Sequence, residues 1–445
     1  MMINKSRQIG NLPEYIPSLA GGLKRKAEST GKSTSINRPD LVTLSSEAKQ
    51  KKHCRQVIVQ GKKRPAPDKS PVITDLVHFP CEPLFSDDLC LRQDHYWDNV
   101  QEDIDHYRKI GGAIGLAQPT EKGIDLLMEK IGPKKKVIWN NLRGEPVVLI
   151  KGQPFTLRSQ DEILSSLYYK GVNRPKTEDM ENALKVEILK KIKSGQGFDL
   201  GTGQKYDKNT TIHIPANSLK PEDVKTLTEV YQKAQAKYPN LDYKRIAIND
   251  RTRPTNRDFD ALVERFRDFN PNAEYLNHCL AGYGRTTSAM TVFNIMKNVR
   301  ENPKYECSGD PAIREEMKEA GRGSFSTLKL LFCAGKVSDS VIRHFIIEGK
   351  GEKEFHQIIK AQAKGGYDLK KDIGAAFPKS RHEARDYLER YIYLSAFYQY
   401  CREEGPKNYQ TNFSQWVKPH EAKLKIAIAA LDKLYRLEAA TKRMK

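Results

Sequence analysis

The run His278-Cys279-Leu280-Ala281-Gly282-Tyr283-Gly284-Arg285-Thr286 gathers residue types that can do chemistry together. A thiolate is a strong nucleophile at neutral pH. Five residues separate Cys279 from Arg285, a loop long enough to wrap a tetrahedral anion. Its backbone N–H groups, from Leu280 through Gly284, can turn inward as a nest, and the N-terminus of a following helix adds positive potential. Gly282 and Gly284 permit the backbone angles and close approach that such a cradle requires. Arg285 can fork two N–H donors onto two oxygens of the anion. The spacing therefore points to phosphoryl transfer to sulfur. His278 is expected to orient the loop by hydrogen bonding, and the Thr286 hydroxyl to donate to the sulfur. The other six cysteines read as small buried hydrophobes.

A phosphate ester also needs a proton for its leaving oxygen. Asp250 lies upstream in "AINDRTRPTN", at the end of an apolar run and four residues before Pro254. Two roles fit it: a general acid on a proline-stiffened loop, or a turn or helix-capping residue. Arg251 and Arg253 flank it and would draw a substrate bearing several phosphates.

These groups need a scaffold. "AEYLNH" before the loop is strand-like, and "TTSAMTVFNIMKNV" after it has helical spacing. Further upstream, "PTEKGIDLLMEKI" (119–131), "DMENALKVEILKKIKSG" (179–195), "PEDVKTLTEVYQKAQAKY" (221–238) and "NRDFDALVERFRDF" (256–269) read as helices. Residues 134–158 give two short β-rich runs, and "TTIHIPA" and "YKRIAI" are strand-like. Strands alternating with helices predict an α/β fold: a central, mainly parallel sheet flanked by helices. Beyond residue 300 the pattern is helical. In "HEARDYLERYIYLSAFYQYCRE" the residues Ala384, Leu388, Tyr391, Ser395 and Tyr398 line one face, a stripe suited to core packing. A last amphipathic helix is expected in 420–445.

Of the 445 residues 38% are hydrophobic and 30% charged, so part of the chain falls short of a packed core. Residues 1–75, rich in Ser, Lys, Gly and Pro, are expected to be a disordered basic region, and 76–445 the folded domain. The formal net charge of +20 suits a polyanionic partner, an acidic membrane surface or nucleic acid. No Sec-type signal is predicted at the N-terminus, and no apolar stretch is long enough to span a membrane. Seven scattered cysteines without CxxC pairs suggest reduced thiols and no zinc site.

"HCLAGYGRTT" resembles the signature of the cysteine-dependent phosphatases of the protein-tyrosine-phosphatase superfamily. The nearest branch contains the bacterial phytases, which are inositol polyphosphatases, and the paladins. "AQPTEKGIDLLMEKI", "VIWNNLRGEPVVLIKGQPFTLR", "DYLERYIYLSAFYQY" and "FSQWV" extend the resemblance over residues from about 110 to 420. It implies a phosphatase fold and a Cys279 phosphoenzyme, hydrolysed by water with Asp250 as acid and then base. It implies no metal and no cofactor. Asp250 through Thr255 match the phytase acid loop Asp-x-x-x-Pro-Thr. Arg253 stands where the family commonly has Trp, and Asn141 replaces the Asp of the phytase "DLR" strand. Arg143 and Glu145 are then pocket residues by resemblance, or an ordinary ion pair at a surface turn. The expected substrate is an inositol polyphosphate. Phosphotyrosine, phosphoinositides and a catalytically silent phospho-ligand binder are the alternatives, and nucleic acid is not expected as a partner. A Ser- and Lys-rich start ahead of such a phosphatase resembles bacterial effectors delivered into host cells. The oligomeric state is left open.

Cys279→Ser should abolish turnover while substrate binding survives, because the amide nest and Arg285 remain. Single-turnover kinetics together with calorimetric titration of substrate checks both halves.

Overall fold

Alternation of apolar residues sends each strand of the central sheet to two different helical layers, and that alternation organises the molecule. The computed structural model describes residues 89–94, 103–160, 163, 166–169, 171–201, 211–302 and 381–429, with the two-residue strand Val72–Ile73. All belong to one compact unit.

The central sheet has five strands: β3 (Arg108–Ile110), β4 (Ala113–Leu116), β5 (Val137–Arg143), β12 (Leu241–Ile248) and β13 (Glu274–His278). Their order is β12-β5-β13-β4-β3. The first four run parallel, and β3 pairs antiparallel with β4. Ile138, Leu142, Ile246, Ile248 and Tyr275 face a core shared with the helices α4 (Asn256–Phe266), α5 (Gly284–Glu301), α6 (Arg381–Glu404) and α7 (Phe413–Val417). Val137, Trp139, Ile114, Leu116 and Leu276 face the other way, onto α1 (Glu121–Ile131) and α3 (Leu227–Lys237). A sheet buried on both faces by helices is the expected α/β layering.

A second sheet was not legible in advance. β2 (Leu89–Gln93), β6 (Val147–Ile150), β7 (Gln153–Ser159), β9 (Phe198–Gly201), β10 (Thr211–Ile214) and β11 (Val224–Thr226) form six strands in the order β10-β9-β2-β7-β6-β11. All its pairings are antiparallel except β2 with β9. Its core packs on α2 (Arg174–Lys193). Residues 134–158, read as two β runs, are three strands divided between the two sheets. The 221–238 segment, read as wholly helical, opens as a 3-10 turn and β11 before α3 begins. Val72–Ile73 (β1) pairs with β8, Tyr168–Tyr169. Apart from those two residues, the expected disordered start to residue 75 lies outside the described residues. So do 303–380 and the end of the expected last helix, whose residues 421–429 (α8) are helical.

Local chemistry sets the helix starts. Thr120 caps α1 by accepting from Gly123 N at 2.9 Å. Thr226 and Glu229 form a capping box on α3, and Thr255 and Asp258 form one on α4. The stripe on α6 became more than a stripe. Every residue from Ile392 to Tyr398 is buried, because α6 is enclosed by α4, α5 and α7. Ser395 and Tyr398 lie in that core; the side chains of Ala384, Leu388 and Tyr391 are outside the described set. Among the described residues no helix is long and apolar enough to cross a membrane.

Phe397 sits between Phe259, Phe413 and Tyr400, with ring centroids 5.1, 5.5 and 5.6 Å away. Phe397→Ala should cost about 3–5 kcal/mol, the range for truncating a buried aromatic. Urea unfolding of the full chain measures it.

Candidate active site

Ligands of open α/β sheets bind beyond the carboxyl ends of the parallel strands. Here His278 pairs with Leu116 on one side and Asn141 on the other, while Ile248 pairs with Arg143. Ala117, Arg143, Asp250 and Cys279 therefore emerge at one edge of the sheet. The loop from Cys279 to Tyr283 then bends into α5. Gly282 has φ +74°, and a Cβ there would lie 2.8 Å from the Ala117 nitrogen. Only glycine meets both conditions. Tyr283, the N-cap residue of α5, makes no side-chain capping bond, which leaves the helix's first N–H groups to the loop side. Leu280 binds β4's exit through its carbonyl, which accepts from Gln118 N at 3.0 Å. Ala281 and Gly284 complete the turn between them.

Arg285 is the hub. It is buried, and Nη1 and Nη2 donate to the two Glu145 carboxylate oxygens at 2.5 and 2.9 Å. Nη1 also donates to the Ile248 carbonyl at 3.0 Å, and Nη2 lies 3.0 Å from Asp250 Oδ1. Nε has no hydrogen-bond partner among the described residues. The edge formed by Nε and Nη2 is thus half empty and half held by a carboxylate. That edge is where an arginine grips an oxyanion.

The network continues from there. Glu145 accepts from Arg143 Nε at 3.0 Å, and Arg143 Nη1 reaches Asp94 at 2.5 Å. Asp94 lies 3.6 Å from Arg158, whose Nη1 donates to Ser166 Oγ at 2.7 Å. Ser166 Oγ in turn donates to Asp250 Oδ2 at 2.8 Å. Three arginines and three carboxylates close into a ring through one serine. Equal numbers of opposite charges make the burial tolerable. Burial by itself would raise the Glu145 carboxyl, yet Arg285 and Arg143 hold it well below the ordinary range. Asp250 is similarly lowered: burial opposes ionisation, but the charge of Arg285 prevails.

The structure decides several sequence expectations. Arg143 and Glu145 are no surface pair; both are buried in the ring. Asp250 does not cap α4, since Thr255 does, and it stands on Arg285 instead. Thr286 does not donate to the sulfur: its hydroxyl donates to the Leu116 carbonyl at the end of β4, at 3.4 Å. His278 is tied to β5 rather than to its own loop. Trp139 Nε1 donates to His278 Nδ1 at 2.7 Å, which places the ring proton on Nε2. Burial, followed by the charges of Arg143, Arg245 and Arg285, keeps this imidazole neutral by holding its pKa far below the usual value. Arg253 does not reach out as a rim cation. Its guanidinium stacks on Tyr393 at 3.5 Å and donates to the Pro254 carbonyl at 2.7 Å. Arg251 is exposed beside Asp250 in the left-handed region, φ +61°.

Several site residues were missed. Asp94, Arg158, Ser166, Arg108 and Arg390 all touch the loop or its ring, Arg390 by donating to the Thr252 carbonyl at 3.1 Å. One signal was available. In β2 and β7 the residues Arg92, Thr156 and Arg158 fall on alternate positions of otherwise apolar runs, and their register pairs Cys90 with Arg158 and Arg92 with Thr156. An arginine on the inward period of a buried strand marks a buried ion pair. Cys90 itself is inert: burial pushes its thiol up to about 11. No cluster of His, Cys, Asp and Glu suited to a metal ion occurs among the described residues.

Residues 140–297 match the family model of the PTP-like phytases, described as "Inositol hexakisphosphate". The chain is 23% identical over 322 residues to Paladin of Xenopus tropicalis, covering 68% of this chain and 35% of the relative. It is 32% identical over 163 residues to effector protein hopD2 of Pseudomonas syringae pv. tomato, covering 36% of this chain and 32% of the relative. The chain thus spans about a third of the length of these curated relatives. Among solved structures it aligns with the tandemly repeated protein tyrosine phosphatase like phytase of Mitsuokella multacida, with TM-score 0.47 and 16% identity. That alignment covers 76% of this chain and 48% of the other.

Glu145→Gln should destabilise the fold by about 3–5 kcal/mol at neutral pH, because two buried guanidiniums lose their shared counter-charge. A depressed carboxyl contributes stability that is present above its unfolded-state value, near 4.3, and lost as pH falls through the folded value. The gap between wild type and Glu145→Gln should therefore narrow below about pH 4. Denaturant unfolding at several pH values gives the gap directly.

Proposed function

Because residues 140–297 carry a PTP-like phosphatase domain, we propose that this chain hydrolyses phosphate monoesters of inositol polyphosphates through a Cys279 phosphoenzyme. The observation that carries this reading is the carboxylate of Asp250 standing on Arg285 Nη2 beside the unpartnered Nε. A carboxylate there holds the place of a phosphate oxygen.

The steps follow from that geometry. A phosphate dianion enters the loop and takes the Nε and Nη2 edge of Arg285, while Glu145 keeps the Nη1 and Nη2 end and fixes the guanidinium plane. Asp250 is released from Arg285 but stays tethered through Ser166 Oγ. Losing a cation and gaining a dianion neighbour both raise its pKa, so it binds a proton. Cys279 Sγ attacks phosphorus and forms the S–P bond. The P–O ester bond breaks, and Asp250 gives its proton to the departing inositol oxygen. Water then attacks phosphorus and yields its proton to Asp250. The S–P bond breaks, and inorganic phosphate leaves with the thiolate restored. Arg285, the loop N–H groups and the α5 N-terminus stabilise the charge throughout.

The choice of an inositol polyphosphate is supported by the family description and by exposed Arg251 beside Asp250. A net charge of +20 further favours a polyanion. Delivery as an effector is supported by the likeness to hopD2.

Phosphate release from phytate, phosphoinositides and phosphotyrosine peptides ranks the substrates; phytate is expected to lead. Asp250→Asn should slow phytate cleavage by roughly 10²–10⁴-fold. First-step cleavage of para-nitrophenyl phosphate, whose leaving group needs no proton, should suffer far less. In the wild type, the alkaline limb due to Asp250 should lie at higher pH in kcat than in kcat/KM, because only the complex has freed it from Arg285. Coincident limbs, or equal losses on both substrates, would remove Asp250 from the acid role.

A further inference from the structure

Arg108 lies on β3, outside the signature, and the phosphatase reading gives it no part. Its side chain nevertheless ends on the loop. Nη2 donates to the Gly282 carbonyl at 2.6 Å and to Thr287 Oγ1 at 2.9 Å, and Nη1 donates to the His106 carbonyl at 3.3 Å. The guanidinium reaches the loop across β4, where Gly115 lacks a side chain. A Cβ at that position would fall 3.1 Å from Arg108 Cζ. The same segment grips the next loop residue. His106 packs edge-on against Tyr283 with centroids 4.5 Å apart, and its Nε2 lies 3.2 Å from the Tyr283 hydroxyl.

The peptide between Gly282 and Tyr283 is planar and trans, so its C=O and N–H point in opposite directions. Holding the Gly282 carbonyl toward β3 therefore turns the Tyr283 N–H away from β3. Without that hold, a glycine at φ +74° has little to stop the peptide rotating. Rotation would present a carbonyl oxygen, which repels an anion, where a donor is needed. Thr287, in the first turn of α5, fixes the same guanidinium to the helix. Burial pushes the Arg108 guanidinium down to about 10, and the nearby Cys279 and Tyr283 oppose that shift. It stays cationic at neutral pH within electrostatic reach of the nucleophile.

We propose that Arg108 is a positioning residue of the anion loop, pinning the Gly282–Tyr283 peptide so that the loop presents N–H donors to a phosphate. The proposal rests on the reading of residues 279–285 as a phosphate loop, but not on which ester is cleaved.

The test uses the full chain and the alkylation of Cys279, followed by mass analysis of its peptide. Iodoacetate is an anion and samples the cradle; iodoacetamide is neutral and samples only the thiol and its access. Wild type should react preferentially with iodoacetate, and inorganic phosphate should protect it. In Arg108→Met the ratio of the two rates should fall roughly tenfold, and half-protection should require roughly tenfold more phosphate, as expected for losing a charge-assisted hold. Arg108→Lys, which keeps the charge without the fork, should recover only part of the ratio. If Arg108 merely supports the fold, Arg108→Met will lower the melting temperature and leave both ratio and protection unchanged, which overturns the proposal. Should Arg108→Met fail to fold, Thr287→Val removes one acceptor of Arg108 at nearly constant volume. A smaller fall in the ratio then supports the proposal, and an unchanged ratio overturns it. A wild type indifferent to the charge of the reagent, and unprotected by phosphate, would overturn the phosphate loop itself and this inference with it.

Discussion

The bidentate pair between Arg285 and Glu145 constrains the rest of the site. A guanidinium with no solvent access cannot be left unpaired, and a carboxylate among three arginines cannot stay neutral. Each therefore fixes the other. Because Glu145 takes the end of the Arg285 fork, the Nε and Nη2 edge is the one left facing the loop. On the proposed function, the direction of phosphate binding follows from this single contact.

Its consequences spread into both sheets. Glu145 lies in the short connection from β5 to β6, where the chain passes from the parallel sheet to the antiparallel one. Arg143 ends β5, Asp94 follows β2, and Arg158 is in β7. The charge ring is thus a seam joining the two sheets at the site. A change on the antiparallel side, far from Cys279 in sequence, reaches the nucleophile's loop through Asp94, Arg143 and Glu145. Ser166 brings the same seam back to Asp250.

On the proposed mechanism, the ring would also let one aspartate act first as an acid and later as a base. Arg285 beside Asp250 favours its ionised form against burial. A phosphate dianion held by the same arginine would reverse the electrostatic sign around Asp250. A serine hydroxyl, able to donate or accept, suits both protonation states. Arg253 and Arg390, through Tyr393 and Thr252, hold the Asp250 loop against α6.

The Cys279 and Arg285 pair and the glycines between them could be read from the sequence because one stretch of seven residues contains them all, and short-range geometry follows from spacing. The parallel strands β5, β12 and β13, though not β4, the α1 and α4 starts and the α5 helix were readable for the same reason: caps and periodicity are local. Asp250 was located but its role was divided, since whether it capped a helix or met Arg285 depended on which strands lay side by side. Glu145 was placed by resemblance, yet its burial was not visible, because nothing local shows that a turn between two strands will be covered. Thr286 went astray because its acceptor, the Leu116 carbonyl, belongs to a neighbouring strand. Arg158, Ser166, Asp94 and Arg108 stand between about 110 and 190 residues from Cys279 in the chain. Only strand order and register brought them to it, and buried charges chose their partners once there.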